Sequence, residues 1–197
     1  MASKFLRRLA DLKRIGIIVG SLRGNSFNQM IANTIPELVD SAKYEFISIE
    51  NLPLYNADLD HGEGPDPVMH YREAIQKTDG IIIVSPEYNS GIPGVLKNAL
   101  DWASTPTKTS VLIHKPSGVI GATPGAKGTI LSQQQIRQAL DATQSYVMPS
   151  QKMYISQVLD KVDSDTRKLI DETTRKYLQR YVQSFMQWID QVQRLNE

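Results

Sequence analysis

Apolar residues along this chain follow two rhythms that take turns. Residues 15–19, Ile-Gly-Ile-Ile-Val, form a short unbroken run suited to a strand covered on both faces. From 27 to 39 the rhythm lengthens, and Met30, Ile31, Ile35 and Leu38 recur at helical spacing. The same alternation repeats down the chain. Strands are expected at 44–49, 80–84 and 117–121, with a fifth somewhere in 146–155. Helices are expected at about 68–78, 93–103 and 129–142, with Pro93 at a favoured first-turn position. The last helix is expected to open near Asp163 or Ser164, either a good N-cap, with Ile170, Thr173, Tyr177, Tyr181, Phe185, Ile189 and Val192 on one face.

Strands that alternate with helices imply a parallel sheet with helices on both faces, an α/β three-layer sandwich. Five strands favour the flavodoxin-like order 2-1-3-4-5. Ligands in that topology sit at the carboxyl ends of the strands, where the strand order reverses. The segments after strands one, three and four should therefore carry the chemistry.

Those segments are the unusual ones. After strand one, residues 20–28 read Gly-Ser-Leu-Arg-Gly-Asn-Ser-Phe-Asn and run into a helix start. Unpaired N–H groups and the helix dipole favour an anion there, Ser21, Ser26 and Asn28 add neutral hydrogen bonds, and Arg23 adds a charged one. The segment matches neither a Walker loop nor the Gly-x-Gly-x-x-Gly fingerprint, and suits a terminal phosphate monoester. After strand three, Tyr88 offers a ring to a planar heterocycle, Asn89 offers donor and acceptor, and Glu87 is open to a structural or an acid–base reading. By itself this second segment also reads as a plain strand-to-helix turn. After strand four, Gly125 and Gly128 allow close backbone approach and Thr123 can bond a ring edge, while Lys127 reads as solvated. A phosphate pocket, an aromatic wall and polar ring-edge groups together describe a flavin mononucleotide (FMN) site.

Composition narrows the rest. The 197 residues suit one domain, expected at 14–197 behind a basic extension at 1–13. That lead carries Lys4, Arg7, Arg8 and Lys13 among leucines at helical spacing, and reads as a solvated extension in preference to a membrane-surface helix. Net charge is +1, so nucleic acid and membrane partners lack electrostatic support. With no Cys and three scattered His, neither a metal site nor a catalytic thiol is expected, and a reducing cytoplasm fits. No catalytic side chain is expected either, so a cofactor would carry the chemistry.

The pieces 20–23, 26–28, 85–89 and 93–102 (the last reading Pro-Gly-Val-Leu-Lys-Asn-Ala-Leu-Asp-Trp) make the chain resemble the NADPH-dependent FMN reductases. This is a flavodoxin-like group that includes quinone and chromate reductases and some azoreductases. The resemblance spans roughly 14–190. It implies that Ser21, Arg23, Ser26, Phe27 and Asn28 hold the FMN phosphate, with Phe27 acting through its backbone. It implies that Pro86, Glu87, Tyr88 and Asn89 line the flavin ring, flanked by Ser90 and Gly91, with Thr123 approaching from the other side. NADPH or NADH would be cosubstrate, and quinones, azo dyes, chromate or free flavin the acceptors, in a double displacement cycle. A homodimer or homotetramer is implied, and Lys97, Asn98 and Trp102 would serve packing or subunit contacts. Some chromate-reducing members carry an aromatic where this chain has Ser90, which leaves substrate preference open. The alternatives are a flavodoxin-type electron carrier and a non-enzymatic flavin-dependent redox sensor.

Overall fold

Strand β3, Gly80–Val84, is buried at every position and forms the axis of the sheet. Its apolar run has no polar face to show to water, so both faces must be covered by helices. The computed structural model describes residues 12–61, 64–149 and 151–195. Around β3 lie β1 (Lys13–Val19), β2 (Ala42–Phe46), β4 (Pro116–Ala122), β5 (Tyr146–Val147) and β6 (Met153–Ile155). All pair in parallel in the order β2-β1-β3-β4-β5, with β6 also on β4. This is the expected flavodoxin-like sheet.

The helices are α1 (Phe27–Leu38), α2 (Asp66–Gln76), α3 (Gly94–Ala103), α4 (Ile130–Ala142) and α5 (Glu172–Leu195). Strand side chains alternate between two cores. Ile15, Ile17, Ile82 and Val84 pack with Met30, Ile31, Leu178 and Phe185 of α1 and α5. Ile18, Ile81, Ile83 and Val119 pack with Ile75, Leu96, Leu100 and Ile136 of α2, α3 and α4. No helix among the described residues is long and apolar enough to cross a membrane.

Three expectations need correction. The fifth strand is two short pieces, β5 and β6, because the chain leaves β4 between them. Opposite that gap, the Tyr181 hydroxyl of α5 accepts from the Val119 N–H at 2.7 Å and donates to the Val119 carbonyl at 3.1 Å. A side chain thus completes the edge where strand pairing lapses. The last helix starts at Glu172, since Asp163 and its neighbours belong to a hairpin of β7 (Val162–Asp163) and β8 (Lys168–Leu169). Asp171 takes the capping role, accepting from the Thr174 N–H at 2.7 Å. The buried stripe accordingly begins with Thr174 and Leu178, while Ile170 and Tyr177 are more than half exposed. Lys13, the last residue of the expected extension, opens β1 and pairs with Asp190 at 2.6 Å. The reading of the basic lead before it falls on residues 1–11, outside the described ones.

Candidate functional site

The loops after β1, β3 and β4 meet at the carboxyl edge of the sheet. The first is drawn tight against β3: the Gly20 N–H donates to the Val84 carbonyl at 2.9 Å, and a Cβ at Gly20 would lie 2.7 Å from Ser85 Oγ. Ser26 then caps α1, accepting from the Gln29 N–H at 3.3 Å. The Phe27 and Asn28 N–H groups have no acceptor within the helix, by the geometry of a helix start. The first turn of α1 holds no acidic residue, so nothing there cancels the positive end of the dipole. Ser21 Oγ accepts from the Arg23 N–H at 3.4 Å, and the exposed Arg23 guanidinium stands 5.8 Å from the Phe27 ring centre. These are the components of an anion site.

Asn28 is buried, and its amide spans the gap to β4. It donates to the Ala122 carbonyl and accepts from the Ala122 N–H, both at 2.9 Å. Its side chain therefore fixes the first loop to the third, while its backbone N–H remains at the helix start.

The second loop is laced to α4. Glu87 Oε2 accepts from the Leu131 and Ser132 N–H groups at 2.9 and 3.0 Å, which gives the α4 start an anionic cap. Of the two readings of Glu87, this geometry realises the structural one. Ser132 Oγ donates to the Pro86 carbonyl at 3.0 Å, and Gln135 Oε1 accepts from the Ile92 N–H at 2.9 Å. Beyond Glu87 the chain makes a two-residue hairpin, with Tyr88 and Gly91 exchanging both backbone hydrogen bonds. Asn89 and Ser90 at its tip sit at φ +50° and +62°, a left-handed pair that a serine rarely adopts.

The third loop is anchored through Thr123, whose N–H donates to the Ile155 carbonyl at 3.0 Å and whose carbonyl accepts from the Val158 N–H at 3.1 Å. Behind it the fit is close: a Cβ at Gly121 would lie 2.0 Å from Thr129 Oγ1 and 2.5 Å from the Ser85 carbonyl oxygen.

One notch, enclosing about 50 Å³, gathers all three loop ends. Ser21, Arg23, Ser26, Phe27 and Asn28 line it on one side, Pro86, Glu87 and Tyr88 on another, and Thr123 closes it. Larger cavities of about 400 to 530 Å³ lie elsewhere, but none of them joins the three loops. The notch can hold a phosphate-sized group, and the 44% exposed Tyr88 ring borders it. Asn89, Ser90 and Gly91 do not line the notch; they form the projecting turn beside it. Ala122 and Pro124 line it without having been singled out, and only the small-residue character of their loop pointed to them. Asn98 and Trp102 serve packing, as expected: Asn98 Nδ2 and Trp102 Nε1 both donate to the Pro53 carbonyl, at 2.9 and 2.7 Å.

Comparison with known proteins identifies the family. The sequence model of the NADPH-dependent FMN reductase family matches residues 13–160. A 2-hydroxy-1,4-benzoquinone reductase from a Burkholderia species is 38% identical over 89% of this chain and 96% of its own length. A quinone reductase from Escherichia coli K12 is 34% identical over 93% and 99% respectively. Among solved structures, FerB, a flavoenzyme NAD(P)H:(acceptor) oxidoreductase from Paracoccus denitrificans, superposes with a TM-score of 0.83 at 32% identity, covering 91% of this chain and 98% of that one. With the family model spanning most of the sheet and relatives matching nearly end to end, the chain belongs to the NADPH-dependent FMN reductase family.

Proposed function

We propose that this protein is an FMN-dependent oxidoreductase that passes hydride from NADPH or NADH to quinones. The observation that carries the reading is the convergence of a capped, acid-free helix start, Arg23 and Tyr88 on one notch. FMN, when bound, supplies the two-electron chemistry that no side chain here can supply.

The chain's own residues bind and orient. Ser21, Arg23, Ser26 and the backbone at Phe27 and Asn28 hold the phosphate, with the arginine neutralising its charge. Pro86, Glu87, Tyr88 and Asn89 border the ring, with Ser90 and Gly91 beside them and Thr123 opposite. Glu87 acts by fixing its loop, because its carboxylate is committed to the α4 start. The open side at Tyr88 leaves one face for donor and acceptor in turn, which gives double displacement kinetics. The names of the relatives favour quinones as acceptors. Azo dyes, chromate and free flavin belong to the wider range that an open face permits. Exposed Ile130 and Leu131 on the helix that Glu87 caps, together with Tyr88, form an apolar border suited to a second copy in a homodimer or homotetramer. The site of action is the cytoplasm, where both nicotinamide donors are found.

The test is anaerobic stopped-flow reduction of the FMN-loaded protein by NADPH and by NADH. Fast bleaching of the visible flavin band, reversed by a quinone, is the expected result. Bound FMN that stays oxidised points instead to an electron carrier or a sensor, and failure to hold FMN overturns the reading.

A further inference from the structure

The hairpin of β7 and β8 lies beyond the residues that match the family model, and it touches the phosphate loop. It is firmly placed. The Leu169 N–H donates to Thr34 Oγ1 of α1 at 3.1 Å, and Lys168 pairs with Glu37 at 2.5 Å. Asp163 shapes its turn, accepting from the Asp165 N–H at 3.0 Å and from the Thr166 hydroxyl at 2.7 Å.

At the end of that turn stands Arg167, with φ at +56°. Glycine or asparagine is the usual occupant of such a position, and a long side chain there needs a reason. Arg167 Nη2 donates to the Gly24 carbonyl at 2.5 Å, across 143 positions of sequence. Gly24 is exposed, and a Cβ there would meet nothing within 4 Å. The contact with Arg167 is thus a tie from outside on the exposed tip of the loop. It also turns the negative end of the Gly24–Asn25 peptide toward a cation. The Asn25 N–H, antiparallel to that carbonyl in the same plane, then points away from Arg167. Arg23 and Arg167 both line the cavity of about 420 Å³ behind the loop, so two guanidinium groups flank one short segment.

We propose that Arg167 is a positioning residue for phosphate recognition, holding the β1–α1 turn through Gly24 and adding a second positive charge beside Arg23. This rests on the FMN reading of the notch.

The experiment titrates the full chain with FMN and with riboflavin, which lacks the phosphate, for wild type, Arg167→Gly and Arg167→Lys. Glycine accepts the positive φ, so Arg167→Gly should keep its turn and its Tm. Its Kd for FMN should rise about tenfold, the size of one charged hydrogen bond, with riboflavin affinity unchanged. Arg167→Lys should fall between, because an ammonium keeps the charge without the fork. Unchanged FMN affinity in Arg167→Gly overturns the proposal. Equal losses for FMN and riboflavin also overturn it, since they would assign Arg167 to hairpin packing alone. If wild type binds neither flavin, the reading of the notch falls first and this inference falls with it.

Discussion

Arg23, in the loop after β1, and Asn28, in the first turn of α1, stand five positions apart, yet they separate binding from architecture. Arg23 is exposed, and among the described residues its guanidinium meets the Phe27 ring without a side-chain hydrogen bond, so the role proposed for it lies in a ligand. Arg23→Ala should leave urea unfolding unchanged and weaken FMN by about 1.5–3 kcal/mol, the worth of a hydrogen bond to a charged group. Equilibrium dialysis of FMN against the variant checks this, and intact affinity would remove Arg23 from the phosphate. Asn28→Ala should behave in the opposite way. It orphans the N–H and carbonyl of Ala122 inside the protein, so unfolding free energy should drop by about 2–4 kcal/mol. FMN affinity should fall as a consequence, because the first and third loops lose their shared anchor. Urea titration separates the two variants: a flat response for the first and a marked shift for the second.

At the scale of elements, the sheet was legible because its strands are short apolar runs and its helices keep a 3.6-residue stripe. Three-loop convergence follows from topology alone. The misread elements share a cause, which is that polar or two-residue partners carry no periodic signal. The β7–β8 turn has Arg167 where a glycine would have announced a hairpin, so the sequence there resembles a helix start. The split fifth strand was hidden because Tyr181, placed on the apolar stripe of α5, acts through its hydroxyl. The anchoring role of the Asn28 side chain gave no signal because its partner lies 94 positions away. Tyr181 gives the element-level prediction. Tyr181→Phe keeps a buried ring but leaves the Val119 N–H and carbonyl without a partner in the gap between β5 and β6. A loss of about 1–3 kcal/mol in urea unfolding is expected, with faster hydrogen exchange at Val119. Wild-type stability in that variant would mean that the gap is filled some other way.

Across the whole molecule, the few perturbed acids and bases set how stability follows pH. Asp163 and Asp171 are held below the usual carboxylate range, the first mainly by the Thr166 hydroxyl and the Asp165 N–H, the second by Thr174. In the unfolded chain both titrate near pH 4. The folded chain binds fewer protons around and below that point, so the stability they add is present above about pH 4 and is lost as pH falls further. Lys115 works at the other end. Burial lowers its pKa against a smaller opposing pull from Asp79, while its ammonium donates to the Thr78 carbonyl at 2.6 Å. The unfolded lysine holds its proton more tightly, so stability rises with pH between the folded value and about 10.4. Urea midpoints measured across pH should therefore fall on the acid side and gain on the alkaline side up to about pH 10, above which the buried Tyr44, Tyr71 and Tyr181 phenols, raised by burial, reverse the gain. An Asp163→Ala/Asp171→Ala variant should start lower and lose less below pH 4, because the groups that release protons on folding are gone. Lys115→Met should lose the alkaline gain and keep the acid limb. An acid limb as steep in the double variant as in wild type would assign acid sensitivity to other carboxylates. It would also leave the Asp163 turn, and the placing of Arg167 on it, indifferent to protonation.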